Sequence, residues 1–188
     1  MENQVFESSN QLETVENEIE YAGFWIRVGA TLVDFLTYLP FIGLNMYNLY
    51  VLKSLPLQLI ITTILFIYKP LMEYKYGATL GKMAVGIKVV NKDFNQITLE
   101  QSIFRFLPWI ISQLISLYVT VMLFQHPDFA DATGMFEVGY IQGEIVSPWI
   151  NFLGSAFLLI SCIVVGFTTK KLGIHDMIAE TYCIYKKS

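Results

Sequence analysis

The stretch FWIRVGATLVDFL, residues 24–36, places an arginine and an aspartate inside an apolar segment that otherwise has the composition of a membrane helix. Arg27 and Asp34 are seven residues apart, so on a helix they share one face and lie about 10 Å apart along the axis. A charge at the centre of a membrane helix costs about 2.5–3.5 kcal/mol on insertion scales. At least the deeper of the two charges therefore needs a partner or a function.

The whole chain has the composition of a membrane protein. It contains 188 residues, of which 54% are hydrophobic and only 15% are charged, and its mean hydropathy is +0.50. Four apolar blocks, at residues 24–44, 55–72, 103–124 and 148–167, approach the length of about 20 residues that crosses a bilayer. Lipid admits only helices or closed barrels, and these blocks are too long and too apolar for barrel strands. We therefore predict an all-α membrane protein with four transmembrane helices.

Basic residues predict the orientation of these helices. They surround the link between the second and third blocks and recur in the tail, at Lys69, Lys75, Lys82, Lys88, Lys92, Arg105, Lys170, Lys171, Lys186 and Lys187. The segment 125–147 has no Lys or Arg but four acidic residues, and it is expected to pack over the outer face. Loops rich in Lys and Arg stay in the cytoplasm. Both termini are thus expected to be cytoplasmic, with the protein in the plasma membrane.

Residues 1–22 form an acidic leader with six Glu and no basic residue. It is poor in apolar residues, so we expect it to be disordered, and it lacks the basic start of a signal peptide. The domain is predicted to span residues 23–188. The net charge of −4 comes largely from the leader, so it gives no indication of a nucleic-acid partner.

Short motifs between the second and third blocks predict local structure. Residues 85–90 are β-rich and residues 97–99 form a second apolar patch after a polar turn, a pattern that favours a small cytoplasmic β-hairpin. Thr98 and Gln101 have the spacing of a capping box at the start of the third helix. The two cysteines, Cys162 and Cys183, are expected to be small buried hydrophobes, because a reducing compartment disfavours a disulfide.

Three motifs occur in an order that resembles the RDD family of small membrane proteins, named for one arginine and two aspartates. The first is Arg27 with Asp34, the second is GATLGK at 77–82 followed by IKVV at 87–90, and the third is GIHDMIAET at 173–181. The likeness covers residues 23–185. It implies that the family's named triad corresponds here to Arg27, Asp34 and Asp176.

Each of these residues has two interpretations. Asp34 is either a protonatable or cation-binding carboxylate on a transport path, or a structural residue hydrogen-bonded to neighbouring helices. Arg27 lies near a helix end, where it either reaches the headgroups or locks the tail through a salt bridge to Asp176.

Gly77–Lys82 lacks the spacing of a Walker loop, so we interpret its glycines as a tight turn with Lys82 near anionic headgroups. His175 and His126 are expected on opposite sides of the membrane, which disfavours a metal site.

The functional expectation is transport, with cation/proton exchange through Asp34 as the candidate activity and with Arg27 and Asp176 as a gating or tuning pair at the inner mouth. The alternative is a non-transporting membrane scaffold or assembly factor. No Ser-His-Asp or Cys-His pattern suggests an enzyme, and no cofactor is expected. The expected partners are membrane lipid, a monovalent cation and further copies of the chain, since four helices are few for a transport path.

Overall fold

The computed structural model describes residues 19–147, 149–150, 160 and 163–186. Three long helices form its body, α1 Phe24–Tyr47, α2 Leu55–Tyr76 and α4 Leu99–Gln125, and three short ones join them, α3 Leu80–Ala84, α5 Met135–Ile145 and α6 Ile174–Ile178. A π-helix, Asn48–Leu52, continues α1, and a 3₁₀-helix, Pro127–Phe129, follows α4. The disorder predicted for the leader falls on residues 1–18, which lie outside the described residues.

Two of the predicted spans are present as helices long and apolar enough to cross a membrane, Phe24–Leu52 and Leu55–Tyr76. A third span is formed by Leu99–Ile110 and Ser112–Gln125 if these two segments, bent by 55°, are taken together. The predicted fourth span, residues 148–167, and Cys162 within it lie largely outside the described part of the chain. Its described residues, 149–150, 160 and 163–167, are helical.

A two-stranded antiparallel sheet lies at one end of the bundle, next to the start of α1. Strand β1, Ile87–Asn91, pairs with strand β2, Thr181–Tyr185, in the register Ile87↔Tyr185. The hairpin prediction is therefore wrong about the strand that pairs with β1. After β1 the chain makes a single bridge from Val90 to Gln96, then buries Ile97 and enters α4, so no residues remain for a local second strand.

Residues at the end of the acidic leader extend this sheet. The N–H of Ala22 donates to the carbonyl of Cys183 at 2.8 Å, and the N–H of Tyr185 donates to the carbonyl of Glu20 at 3.0 Å. Residues 20–22 are thus hydrogen-bonded to β2. Cys183 is a free, fully buried thiol in a core cluster with Ala22, Ala30, Ile87, Val89 and Ile97, and this cluster fixes the sheet against α1.

A second core cluster closes the opposite end of the bundle. The segment 126–145, which we call the acidic cap, buries Phe129, Ala132, Val138 and Ile141 against Leu123 of α4. Lys53 fastens the cap to the α1–α2 link, because its ammonium donates to the carbonyls of Phe129 at 3.0 Å and Ala130 at 2.5 Å. The packing expected for residues 125–147 over one end of the bundle is thus present.

The capping box predicted at the start of α4 is confirmed. The hydroxyl of Thr98 accepts from the N–H of Gln101 at 3.2 Å, and the side-chain oxygen of Gln101 accepts from the N–H of Thr98 at 3.1 Å. Two backbone donors that the helix leaves unpaired are thereby satisfied.

The substitution Thr98→Ala should lower the free energy of unfolding by about 1 kcal/mol, the usual loss when an N-cap is removed. The measurement is reversible denaturation of the protein in mixed micelles. Thr63→Ala is the control, since the Thr63 hydroxyl bonds only to Leu59 of its own helix and is exposed. Equal losses for the two variants would contradict a stabilising role of the capping box.

Candidate functional site: a buried charge cluster

Asp176 lies at the centre of a set of buried charges and has no exposed surface. It stands in the first turn of α6, where its Oδ2 accepts from the N–H of Gly173 at 3.0 Å. Arg27 Nη1 donates to the same oxygen at 2.5 Å, and Arg105 Nη1 donates to Oδ1. One carboxylate is therefore shared by two guanidinium groups from different helices.

Arg27 makes two further bonds that tie the start of α1 to both ends of the domain. Its Nε donates to the carbonyl of Ala22 at 3.0 Å, and its Nη2 donates to the carbonyl of Lys171 at 2.7 Å. The predicted contact between Arg27 and Asp176 is thus present, and the guanidinium is directed into the protein rather than toward headgroups.

Arg105 extends the set to α2 and, through Glu73, to α3. Its Nε donates to Glu73 Oε2 at 2.9 Å, and its Nη1 donates to the hydroxyl of Thr181 at 2.5 Å. The ammonium of Lys82 donates to the other oxygen of Glu73 at 2.5 Å. In the order Arg27, Asp176, Arg105, Glu73, Lys82 the charges alternate in sign, and we call these five residues the charge cluster.

Aromatic and basic side chains close the cluster on the side of α4. The ammonium of Lys69 lies 4.4 Å from the ring centroid of Trp109, an attractive cation–π geometry, and the His175 ring meets the same tryptophan edge-on at 5.2 Å. The void that these residues line with Glu73 and Arg105 has no room for a water molecule. The cluster is closed to water on this side.

The charges around Asp176 decide its protonation. Burial alone would raise the pKa of the Asp176 carboxyl, but the positive charges of Arg105 and Arg27 and the Gly173 N–H hold this pKa well below its usual range. Asp176 is therefore ionised at all physiological pH values.

Burial, rather than the neighbouring charges, decides the protonation of His175. Burial lowers the pKa of the His175 imidazole from 6.5 to about 3, although the nearby Asp176 carboxylate acts to raise it. The Nε2 atom lies 3.4 Å from Asp176 Oδ1. The ring is neutral near pH 7 and adds no charge to the cluster.

Asp34 does not join the charge cluster. Its Oδ2 accepts from the Thr79 hydroxyl at 2.6 Å, and its Oδ1 accepts from the Gly81 N–H at 2.7 Å and from the Tyr68 hydroxyl at 3.4 Å. Only glycine fits at position 81, because a Cβ there would lie 2.0 Å from the carbonyl oxygen of Ala30. Asp34 therefore binds the segment 79–81 to the face of α1.

The three residues of the predicted triad thus occupy two sites, with Arg27 and Asp176 in contact and Asp34 separate. Glu73 was not among the predicted site residues, and Arg105 served only to predict the orientation of the helices. The sequence contains a signal for both residues, because Glu73 and Arg105 are charged residues within apolar helices. Lys82, which we expected near headgroups, forms an ion pair with the buried Glu73 at 2.5 Å. Among the described residues, no group of three His, Cys, Asp or Glu side chains could hold a metal ion.

The long apolar helices indicate a membrane protein. The model of the RDD family matches residues 21–180, and the chain belongs to this family.

Relatives in Bacillus subtilis (strain 168) cover most of the chain. The uncharacterized membrane protein YteJ is 28% identical over 89% of this chain and 82% of its own length. The uncharacterized protein YckC is 27% identical over 87% of this chain and 84% of its own length. No solved structure matches.

The substitution Asp176→Asn should lower the free energy of unfolding by about 3–5 kcal/mol, because it leaves Arg27 and Arg105 buried without their shared counter-charge. Thermal denaturation of the purified protein in detergent measures the loss. Glu180→Gln is the matched control, since its ion pair with Lys92 is more than half exposed on both sides and should contribute less than about 1 kcal/mol. A loss at Asp176 no larger than that at Glu180 would show that the cluster does not hold the fold.

His175 should make the stability depend on pH. An unfolded histidine titrates near 6.5 and the folded one near 3, so between these values the unfolded state binds a proton that the folded state does not. The contribution of His175 to the free energy of unfolding is fully present above pH 6.5 and is lost as the pH drops through this window. Below the usual pKa of an aspartate, protonation of Asp176 lowers the free energy of unfolding further. In His175→Gln the melting temperature should fall less between pH 6.5 and 4. An unchanged slope in His175→Gln would exclude this histidine as the cause.

Proposed function

We propose that this membrane protein exchanges protons for a monovalent cation, with Asp34 as the exchanging carboxylate. The observation that carries the proposal is the position of Asp34, where α1, Tyr68 of α2 and the segment 79–81 meet around one carboxylate. An ionisable residue inside a membrane helix is by default a candidate for an ion pathway.

Protonation of Asp34 changes what its neighbours can bind. Ionised, the carboxylate only accepts, and it faces an N–H and two hydroxyl donors. A proton on either oxygen turns that atom into a donor, which weakens its bonds to Thr79 or Gly81. The segment 79–81 is then held less tightly to α1, so proton binding is linked to its movement.

A cation would use the oxygen atoms of the same site. The two carboxylate oxygens and the hydroxyls of Thr79 and Tyr68 supply four oxygen ligands, the type that hard cations prefer. The Gly81 N–H must withdraw before a cation can enter. Proton and cation therefore compete for one carboxylate, as exchange requires.

The contact between Arg27 and Asp176 is proposed to act as the gate. It joins α1 to the segment after the predicted fourth helix, and the Asp176 side chain is fully buried. Breaking it costs several kcal/mol unless each charge finds another partner, and the neighbouring charges Arg105 and Glu73 offer such partners.

The charge cluster is proposed to face the cytoplasm, with both termini on that side and the acidic cap outside the plasma membrane. The Lys-rich segments on the cluster side support this orientation. We further propose four spans and a homo-oligomer, because one copy provides few helices to surround a path.

A second candidate is a non-transporting scaffold or assembly factor. It is favoured by the completeness of the Asp34 hydrogen bonds, which a purely structural residue would also make. Neither candidate involves enzymatic catalysis.

The test is cation-driven collapse of a pH gradient in liposomes that contain the full chain. Na⁺, K⁺ and Li⁺ are added in turn, and a trapped pH-sensitive dye reports the gradient. Wild type should collapse the gradient with at least one cation, and Asp34→Asn should not. Asparagine keeps an acceptor for Gly81, and its amide can donate to the Thr79 hydroxyl, so the variant is expected to fold.

Asp93→Asn, at an exposed position of the β1–α4 turn, is the matched control and should keep wild-type activity. Collapse by Asp34→Asn at the wild-type rate would exclude exchange through Asp34. No collapse by folded wild type with any cation would favour the scaffold.

A further inference from the structure

A polar cavity of about 280 Å³ lies beneath the acidic cap, at the end of the bundle remote from the charge cluster. Its polar lining comes from all three long helices, as Asn45, Gln58, Thr62, Gln113, Ser116 and Thr120. Gln142 of the cap adds a further amide from above. Ser116 and Gln142 are exposed, whereas the other polar residues of the lining are buried or partly buried. Partly buried polar groups in a membrane bundle are costly unless they are bonded, so this lining needs an explanation.

One wall of the cavity is rigid. Gln58 Oε1 accepts from Asn48 Nδ2 at 2.9 Å, and both residues are buried. The Asn48 side chain also bonds to the N–H and the carbonyl of Ser54. Asn48 begins the π-helix, a wide turn that is rare in proteins and frequent at functional sites.

The opposite wall offers unused hydrogen-bonding groups. Gln113, Ser116 and Thr120 follow one another at helical spacing on one face of α4. None of these three side chains bonds to another residue in the part of the chain that the structure describes. A fixed amide wall therefore faces a wall of free amide and hydroxyl groups.

The chemistry of the lining selects the ligand. No described residue that lines the cavity is ionisable, so a charged ligand would lose its hydration without meeting a counter-charge. A neutral molecule with several hydroxyl groups exchanges its bonds to water for bonds to amides and hydroxyls, at little net cost.

The size of the cavity limits the ligand further. Drug-sized ligands occupy pockets of about 300–1,000 Å³ with mostly apolar walls, and this cavity is smaller and more polar. At about 30 Å³ per molecule its volume equals that of roughly nine waters. A polyol of three to five carbons fits such a volume.

We propose that this cavity is a binding site for a small neutral polyol. The ligand is held between the wall formed by Gln58 and the free groups of Gln113, Ser116 and Thr120, under the acidic cap. This site is separate from Asp34, and binding at equilibrium does not require that the protein transport anything.

Saturation-transfer NMR on the full chain in lipid nanodiscs tests the proposal, with erythritol as the probe. Wild type should give a saturable signal. Thr120→Val, which removes one hydroxyl with almost no change of shape, should weaken binding about fivefold, the loss expected for one neutral hydrogen bond. Gln113→Leu should weaken binding at least as much.

Two controls separate this site from non-specific contact. Thr63→Val removes a hydroxyl from an exposed position on α2 and should bind erythritol as wild type does. Lactate, an anion of similar size, should give no saturable signal. Size-exclusion chromatography confirms that each variant is folded.

The absence of a saturable erythritol signal with wild type would overturn the proposal, as would wild-type binding by both Thr120→Val and Gln113→Leu. Equal binding of lactate and erythritol would overturn the neutral class of ligand. Because binding is measured without a gradient, failure of cation exchange in liposomes leaves this result unaffected.

Discussion

The fold depends on the neutralisation of one buried carboxylate. Asp176 is withdrawn from water, where an isolated charge would cost many kcal/mol, and it is ionised only because two guanidinium groups and a backbone N–H meet it. Those donors come from α1, α4 and the start of α6. The carboxylate can therefore be satisfied only when these three elements are assembled together.

The same set of contacts joins the beginning of the domain to its end. Arg27 reaches from α1 to the carbonyl of Lys171, and residues 20–22 bond along β2. The beginning and the end of the domain are thereby held within one set of hydrogen bonds. Strand β1 pairs with the tail rather than with its neighbour in sequence, and the same closure explains that pairing, because β2 follows directly after α6.

The sequence predicted the features that depend on local pattern. Hydropathy located the long helices, the Thr98 spacing predicted a capping box, and charge placement with the family likeness brought Arg27 and Asp176 together. The strand partner of β1 was mispredicted, because a β-rich pattern indicates a strand but not its partner. The donors to Asp34 were also missed, since they depend on the close approach of Gly81 to α1, and no local pattern encodes that approach.

The first helix connects the charge cluster, the Asp34 site and the polar cavity. Arg27, Asp34 and Asn45 follow in order along α1, with Asp34 about 10 Å from Arg27 and about 16 Å from Asn45 at the rise of a regular helix. Pro40 lies between Asp34 and Asn45 and cannot donate a backbone bond to Leu36, so the helix is weakest there. Pro40 thus separates the half of α1 that contacts the charge cluster and the segment 79–81 from the half that lines the cavity. In the proposed exchange, movement at Asp34 would reach Arg27 through regular helical turns and would reach the cavity only past Pro40, so we expect a proton at Asp34 to act first on the contact between Arg27 and Asp176.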